Sequence, residues 1–291
     1  MTVGGSVVSS PDTEQAAWYA DWQHPSHAPA FDWRAPFDDR NVIRSYECFN
    51  DVRLLRERVG RSRPLRLVEV GCATGGFSRY LRLRFPNITY CGMDVSAAAI
   101  DLARSQYRGT RFIVNRPDLP LEQALAAGGI AGQPEIVYAK DVVHHQTNPF
   151  AFLAELLGSA SEAVILRLRT RDVGATELNP EESCQYHYGG WMPYIVMNLE
   201  EVLEMIRQHV PDAEAVVYRH HMILGGRLNR YLPKACYLSG TGTAETAIGV
   251  FRRAPRSGTV RIEDRADGEP AYTMDFWVRR AVRKALERLR S

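Results

Sequence analysis

Residues 65–76 read LRLVEVGCATGG, and this stretch decides the fold. An apolar run of strand length leads into Gly71, and the glycines that follow permit a tight turn into a helix. Further strand-like runs occur at 88–94 (ITYCGMD), 110–114 (TRFIV) and 135–140 (EIVYAK), with helical patterns between them. Strands that alternate with helices predict right-handed βαβ units and a parallel sheet.

The second half of the chain predicts how this sheet ends. Residues 162–168 (EAVILRL) continue the strands, and a long insertion at 170–198 then interrupts the rhythm. A helix is predicted at 199–209, followed by late strands at 213–219 and 244–251. We therefore expect an α/β fold: a Rossmann-like doubly wound sheet of about seven strands with helices on both faces. The sheet should be mostly parallel, with an antiparallel last strand.

Three regions are expected along the chain. Residues 1–60 form an N-terminal arm, whose aromatic side chains suggest a lid and whose residues 40–59 predict a helix. Residues 61–253 form the α/β domain, with the insertion at 170–198 as a substrate loop. Residues 254–291 predict a linker followed by a basic amphipathic C-terminal helix.

Composition is that of an ordinary globular protein, with 291 residues, 45% hydrophobic residues and a net charge of +2. Eleven basic and six acidic residues at 252–291 give the end of the chain +5 and leave −3 for residues 1–251. The near-neutral total argues against a nucleic-acid partner. No stretch is long and apolar enough for a membrane helix, and residues 1–10 do not resemble a signal peptide, so we expect a cytoplasmic protein.

Cysteine spacing also limits the possibilities. The five cysteines are scattered and form no CxxC pair. This pattern argues against a disulfide framework and against a structural zinc site, and it favours a reducing compartment. We therefore expect no metal ion.

The glycine turn lies where a parallel sheet binds nucleotides, at the carboxyl end of its first strand. Its spacing is not that of a dinucleotide site, because GxGxxG would need glycine where Ala73 stands. Asp94 ends the second strand about twenty residues on, where a carboxylate can accept hydrogen bonds from both hydroxyls of a ribose. Asn115 ends the third strand, and its amide could contact the edge of an adenine.

Together these residues resemble the class I S-adenosylmethionine (SAM)-dependent methyltransferase superfamily, over roughly residues 65–169. The resemblance implies SAM as cosubstrate, with the glycine turn around its methionine part. Asn115 stands where the family often has Asp, and Ala73 replaces the commonest glycine. The implied cofactor-binding residues are Glu69, Gly71, Cys72, Ala73, Gly75, Asp94, Val95, Asn115 and Asp141.

The acceptor side is expected at the end of the fourth strand and in the insertion. His144 is a candidate general base, because imidazole titrates near neutral pH, although it could instead pack structurally. Asn148 could orient an acceptor. Tyr186 and Tyr188, with Trp191, could close over a sulfonium or an amine, or could simply pack the loop.

Two further side-chain groups leave alternatives open. Asp141 could hold the SAM ammonium group or cap the turn that follows it. Arg167, Arg169 and Arg171 share one face of the fifth strand, which could bind an anionic acceptor or be exposed to solvent.

The leading functional hypothesis is a SAM-dependent methyltransferase acting on a small molecule in bacterial secondary metabolism (natural product biosynthesis). An alternative is similarity to azetidine-2-carboxylate synthases, in which the SAM amine attacks its own γ-carbon and expels methylthioadenosine. A third hypothesis is a non-catalytic partner protein acting through the C-terminal helix. That helix is also a candidate homodimer contact.

Overall fold

The computed structural model describes residues 37–60, 62–116, 119–180, 182–187, 190–222, 242–252 and 254–268. The aromatic lid of the N-terminal arm, the C-terminal helix and its dimer contact lie outside these residues. Within them, no helix has both the length and the apolar character needed to cross a membrane.

Helices and strands alternate from residue 65 onward, as the sequence predicts. The helices are α1 (Asp39–Glu47), α2 (Asn50–Arg58), α3 (Gly76–Arg84), α4 (Ala97–Gln106), α5 (Leu121–Ala127), α6 (Pro149–Gly158) and α7 (Leu199–His209). The first strands are β1 (Leu65–Val70), β2 (Ile88–Asp94), β3 (Arg111–Val114), β4 (Ile136–Lys140) and β5 (Ala163–Arg171). The later strands are β6 (Cys184–His187), β7 (Gly190–Pro193), β8 (Met197–Asn198), β9 (Glu214–His221), β10 (Thr243–Phe251) and β11 (Val260–Asp264).

The main sheet has the strand order β11-β9-β10-β5-β4-β1-β2-β3, with β8 beside the end of β5. Strands β1 to β5 are parallel to one another, and β10 is antiparallel to both β5 and β9. The Rossmann-like doubly wound fold is confirmed. Among the residues that the structure describes, the main sheet has nine strands rather than about seven, and β6 and β7 form a separate hairpin within the insertion.

The prediction of a linker after residue 254 is wrong for part of that segment. Residues 260–264 form β11, which pairs in parallel with β9 at the edge of the sheet and follows the antiparallel β10. The strand was missed because an edge strand half in solvent keeps polar residues, and VRIED carries three charges. The 254–291 boundary therefore divides the sheet.

The single helix expected at 40–59 is also wrong. The chain forms α1 and α2, separated at Phe49, whose backbone is extended (φ −92°, ψ 144°). Asp38 caps α1 by accepting a hydrogen bond from the Asn41 amide at 2.8 Å. The break places Phe49 and Asp51 over the sheet, where both contribute to the site described below.

Apolar side chains cover both faces of the sheet. One core lies beneath α5, α6 and α7, around Leu153, Leu166 and Leu203. The other lies beneath α1 to α4 and is rich in aromatic rings; Phe77 stacks on Tyr138 with centroids 4.5 Å apart. The two cores hold the strands rigidly, so the loops at their carboxyl ends are well positioned. Within the described part of the chain, the side chains of Cys48, Cys72, Cys91 and Cys184 are buried.

The chain reverses its direction of travel across the sheet between β1 and β4, which are direct neighbours. A crevice opens at such a switch point, outside the carboxyl ends of the two strands. In this protein the crevice is narrow at Gly71: a Cβ added there would lie 2.2 Å from Cγ2 of Val142. Gly71 also has φ +78°, a conformation that glycine adopts without strain.

We expect Gly71→Ala to destabilise the fold more than Gly109→Ala. Both glycines have positive φ, so both variants incur backbone strain of about 1 kcal/mol. At Gly109 the space for a Cβ is open, whereas at Gly71 the clash with Val142 adds about 1–3 kcal/mol. Urea unfolding of the two variants measures the difference. Equal losses would contradict the close approach.

Candidate functional site

The glycine turn is hydrogen-bonded to the end of β2. The backbone amides of Gly71 and Cys72 both donate to the carbonyl oxygen of Met93, at 2.8 and 3.0 Å. Cys72 is buried, and burial raises the pKa of its thiol well above the usual value, so it stays protonated. Gly75, with φ +75°, leads into α3, and a Cβ there would lie 2.5 Å from the Phe112 ring. The turn therefore has one well-determined path.

Asp94 connects this turn to the second strand. Its Oδ2 accepts from the Ala73 amide at 2.8 Å, and its Oδ1 accepts from the Ser96 amide at 2.9 Å. Burial raises the pKa of Asp94, and these backbone hydrogen bonds partly oppose that effect. Each carboxylate oxygen can accept a second hydrogen bond. The carboxylate is thus oriented and can still receive ribose hydroxyls, beside the half-buried Val95.

Asn115 lies next to Asp94. Its backbone amide donates to the Asp94 carbonyl oxygen at 2.7 Å. Its side-chain Oδ1 is buried and has no hydrogen-bond partner among the described residues. A buried acceptor without a donor is costly. An exocyclic amine such as that of adenine would supply the missing donor.

Glu69 is buried beneath the turn, where the Tyr90 hydroxyl donates to its Oε2. Burial is the main cause that raises the pKa of Glu69 to about 8, against the opposing effects of the Tyr90 hydrogen bond and the Lys140 charge. The carboxyl group is therefore largely protonated at neutral pH. The role of Glu69 as a cofactor-binding residue stays a prediction.

Asp141 follows β4 with φ +56°; it and Ala73 are the non-glycine residues with positive φ in the described chain. Such strain is typical of functional sites. Its Oδ1 accepts from Arg169 Nη1 at 3.1 Å. Burial alone would raise the pKa of Asp141, but the charges of Arg169, Arg167 and Lys140 outweigh it and hold the pKa well below its usual range. Asp141 is ionised, and it binds an arginine rather than capping the next turn.

Arg167 and Arg169 lie next to each other on one face of β5 and are only 5% and 3% exposed. The expectation that this face could be open to solvent is wrong for both, because α2 and the segment after β11 cover it. Arg169 Nη2 lies 2.9 Å from Glu245 Oε1, and Arg167 Nη2 lies 3.1 Å from Asp267 Oδ2. The carboxylates around the two guanidiniums are those of Asp51, Asp141, Glu245 and Asp267.

Lys140 completes this charged cluster. Its Nζ lies 3.7 Å from the centroid of the Phe49 ring, and Arg167 lies 4.4 Å from the same centroid. The cluster sets four carboxylates against three cations, so it favours positive charge in the crevice beside it. His220, Glu245 and Asp267 bring potential metal ligands within 4.8 Å of one another. Arg167 donates hydrogen bonds to both Glu245 and Asp267. In this structure a guanidinium, not a metal ion, therefore balances the charge of these two carboxylates.

His144 lies in a short 3₁₀ turn after β4 and is 1% exposed. Its ring centroid is 4.2 Å from that of His145 and 5.3 Å, edge-on, from that of Tyr194. Nδ1 of His145 is 2.7 Å from the Pro193 carbonyl oxygen, so the insertion packs directly on this turn. The packing accounts for the burial of His144, and its role as a base stays a prediction.

The other predicted catalytic residues are placed as follows. Asn148 is exposed and caps α6, where its Oδ1 accepts from the Ala151 amide at 3.1 Å. Tyr186 lies in β6, opposite Trp191 in β7, and Trp191 is 41% exposed. The side chain of Tyr186 and the whole of Tyr188 lie outside the described residues. The roles of Asn148 and the two tyrosines stay predictions.

The backbone around Gly71 and the acceptors of Asp94 and Asn115 fit the methionine, ribose and adenine parts of SAM. Residues 68–162 match the model of a methyltransferase domain family. This part of the chain is a class I SAM-dependent methyltransferase domain. The predicted cosubstrate, SAM, and the predicted transferase activity are confirmed at the level of the domain family.

Three solved structures are similar to this methyltransferase. The 1,6-didemethyltoxoflavin-N1-methyltransferase of Burkholderia thailandensis is 13% identical, with a TM-score of 0.46 over 86% of this chain and 94% of its own. Magnesium protoporphyrin IX methyltransferase from Synechocystis is 13% identical, with 0.43 over 85% and 100%. An O-methyltransferase from a Brevibacillus brevis polyketide multienzyme is 12% identical, with 0.45 over 75% and 80%.

A sequence search of curated proteins finds no match. The family model covers about a third of the chain, and the segments outside it provide much of the acceptor side. Asp51 precedes the matched region, and Arg167 and Arg169 follow it. Sequence reasoning missed Tyr194, Glu245 and Asp267 as members of the site. Tyr194 lies in the insertion that was expected to form a substrate loop, but nothing distinguished it from the other aromatic residues there; Glu245 and Asp267 lie in segments interpreted as ordinary strand and linker.

We expect the stability of the methyltransferase to fall as pH rises from about 5 to 8, in part because of Glu69. The folded-state pKa, about 8, lies above the ordinary value of 4.5, so the folded form retains a proton that the unfolded chain has lost. This contribution is complete below pH 4.5 and is lost as pH rises through 8, at up to about 1.4 kcal/mol per pH unit.

Glu69→Gln carries a neutral amide and should flatten that fall, whereas Glu122→Gln, on the exposed face of α5, should not. Urea unfolding at a series of pH values compares the slopes. A Glu69→Gln slope equal to that of the unsubstituted protein would show that this carboxyl group is already ionised.

Proposed function

We propose that this methyltransferase acts on a small molecule. The observation that carries the proposal is the position of the insertion. The Ile195 amide donates to the His144 carbonyl oxygen at 2.8 Å, and Tyr194 packs on the His144 ring. The insertion therefore covers the carboxyl end of β4, where the acceptor must approach. A covered acceptor side suits a small substrate better than the surface of a macromolecule.

The residues of the cofactor side divide the binding of SAM among them. The turn from Gly71 to Gly75 is our candidate for contacting the methionine chain. Asp94 accepts the ribose hydroxyls, and Asn115 Oδ1 accepts a hydrogen bond from the adenine amine. Asp141, which stays ionised, is our candidate for holding the ammonium group. When bound, SAM supplies an electrophilic methyl group on a sulfonium centre.

The chain's own contribution to the transfer is orientation and exclusion of water. Arg169 holds Asp141 through Nη1 and also donates from Nε to the Tyr194 hydroxyl at 3.1 Å. One buried guanidinium thus connects the cofactor side to the insertion. Such preorganisation places an acceptor in line with the methyl group without further ordering. The setting in bacterial secondary metabolism stays a prediction.

We expect Asp94→Asn to weaken SAM binding by about 10- to 100-fold, because it removes a charged acceptor of hydrogen bonds worth about 1.5–3 kcal/mol. Titration calorimetry with SAM measures this change. Asp101→Asn is the matched control, since Asp101 lies exposed on α4 and pairs only with Arg104 at 3.4 Å among the described residues. If Asp94→Asn bound SAM as tightly as the unsubstituted protein, Asp94 would not be the residue that binds the ribose.

Incubation with SAM separates methyl transfer from the cyclase alternative. We expect SAM to remain intact without an acceptor, and S-adenosylhomocysteine to form when a competent acceptor from a panel of small amines, phenols and carbon acids is added. Chromatography of the nucleoside products reads out both. Methylthioadenosine released from SAM alone would overturn the proposal in favour of the cyclase.

A further inference from the structure

A second pocket lies at the opposite edge of the sheet. It opens at the amino ends of β1, β4 and β5, where Leu65, Ile136 and Ala163 form part of its wall, and its volume is about 640 Å³. A strand of six residues spans about 20 Å, so this pocket is well separated from the glycine turn at the carboxyl ends. None of the residues assigned to the methyl-transfer site lines this pocket.

The lining of this pocket is strongly cationic. Five arginines and two glutamates contribute to it, which leaves an excess of three positive charges. The arginines are Arg58, Arg63, Arg252, Arg256 and Arg261. An excess of this size in a concave site concentrates anions within it.

The two glutamates are already paired with two of the arginines. Arg58 makes a bidentate contact with Glu214, which is buried, and also lies 4.7 Å from the centroid of the Phe251 ring. Arg63 pairs with Glu162 at the rim. In each pair the two charges neutralise each other, so the excess charge of the lining resides on the other three arginines, of which Arg261 also pairs with Glu263 just outside the pocket.

Those three guanidiniums keep donors for a ligand. Arg252 donates from Nη2 to the Leu157 carbonyl oxygen at 2.7 Å, which orients the group without neutralising it. Arg261 contacts Glu263 and Tyr218 through its terminal nitrogens, but its Nε is buried with no hydrogen-bond partner among the described residues. Arg256 is exposed on the turn before β11.

We propose that this pocket binds a small ligand carrying two or more phosphate groups. Planar guanidiniums match the oxygens of phosphate through paired hydrogen bonds, and they are the usual choice for multiply charged phosphates. The volume is that of a small-molecule site rather than of a protein interface. Arg252 and Arg256 form no salt bridge among the described residues, and Arg261 is shared with Glu263; this set complements a diphosphate or triphosphate better than a single carboxylate. Ligand binding in this pocket does not depend on which acceptor the methyl-transfer site takes.

The test is titration calorimetry of the full chain with inorganic pyrophosphate and with tripolyphosphate, at about 0.15 M salt so that diffuse attraction is screened. We expect both to bind, the triphosphate more tightly. The double variant Arg252→Gln/Arg256→Gln should weaken binding at least about tenfold, since each charge-assisted contact is worth about 1.5–3 kcal/mol. Arg256→Gln alone, at an exposed position, should weaken binding without affecting folding.

The matched control is Arg104→Gln/Arg207→Gln, which removes the same charge from the exposed faces of α4 and α7. We expect it to bind pyrophosphate as the unsubstituted protein does. Equal losses in the two double variants would show attraction to overall charge and overturn the site. Absence of binding by the unsubstituted protein up to about 10 mM pyrophosphate, an affinity weaker than about 3 kcal/mol, would overturn it as well.

Discussion

The hydrogen bond from the Ala73 amide to the Asp94 carboxylate, 2.8 Å long, joins the two strand ends on which the cofactor site depends. The same carboxylate receives the Ser96 amide, and Ser96 in turn caps α4. The path of the turn, the orientation of the Asp94 carboxylate and the start of the next helix are therefore set together. Because Asp94 is half-buried, its charge is costly without these amides, and the Ala73 amide likewise needs an acceptor.

At the acceptor side the organising groups are Arg167 and Arg169. They meet carboxylates from α2, β10 and the residues after β11 as well as Asp141, so distant parts of the chain converge on one strand. Removing ions from water is expensive, and such a network is a weak source of net stability. Its effect here is to fix the positions of side chains. Arg169 donates hydrogen bonds to both Asp141 and Tyr194, and this holds the insertion in one place over β4.

The two edges of the sheet differ in sign. Carboxylates outnumber cations at the carboxyl edge, whereas arginines exceed glutamates by three in the pocket at the amino edge. The net charge of +2 does not show this polarity, because it is a sum over the whole chain. A cationic cosubstrate and an anionic ligand would thus each be attracted to a different end of the same strands, which keeps the two sites electrostatically distinct.

Local patterns in the sequence were sufficient for most of the strands and helices from residue 65 to residue 251, and for placing Asp94 and Asn115 at or beside the ends of their strands. The strand at 88–94 and the helix at 199–209 form with the predicted bounds, since an apolar run and an N-terminal Asn cap are local signals. The glycine turn, Asp94 and Asn115 follow from the order of strands alone, because parallel strands bring their carboxyl ends to one edge. Tertiary structure alone decided the break at Phe49, the edge strand at 260–264, the burial of two arginines and the grouping of five others in one pocket. Those features depend on which charges meet across the folded chain, and long-range pairing leaves no periodic trace in the sequence.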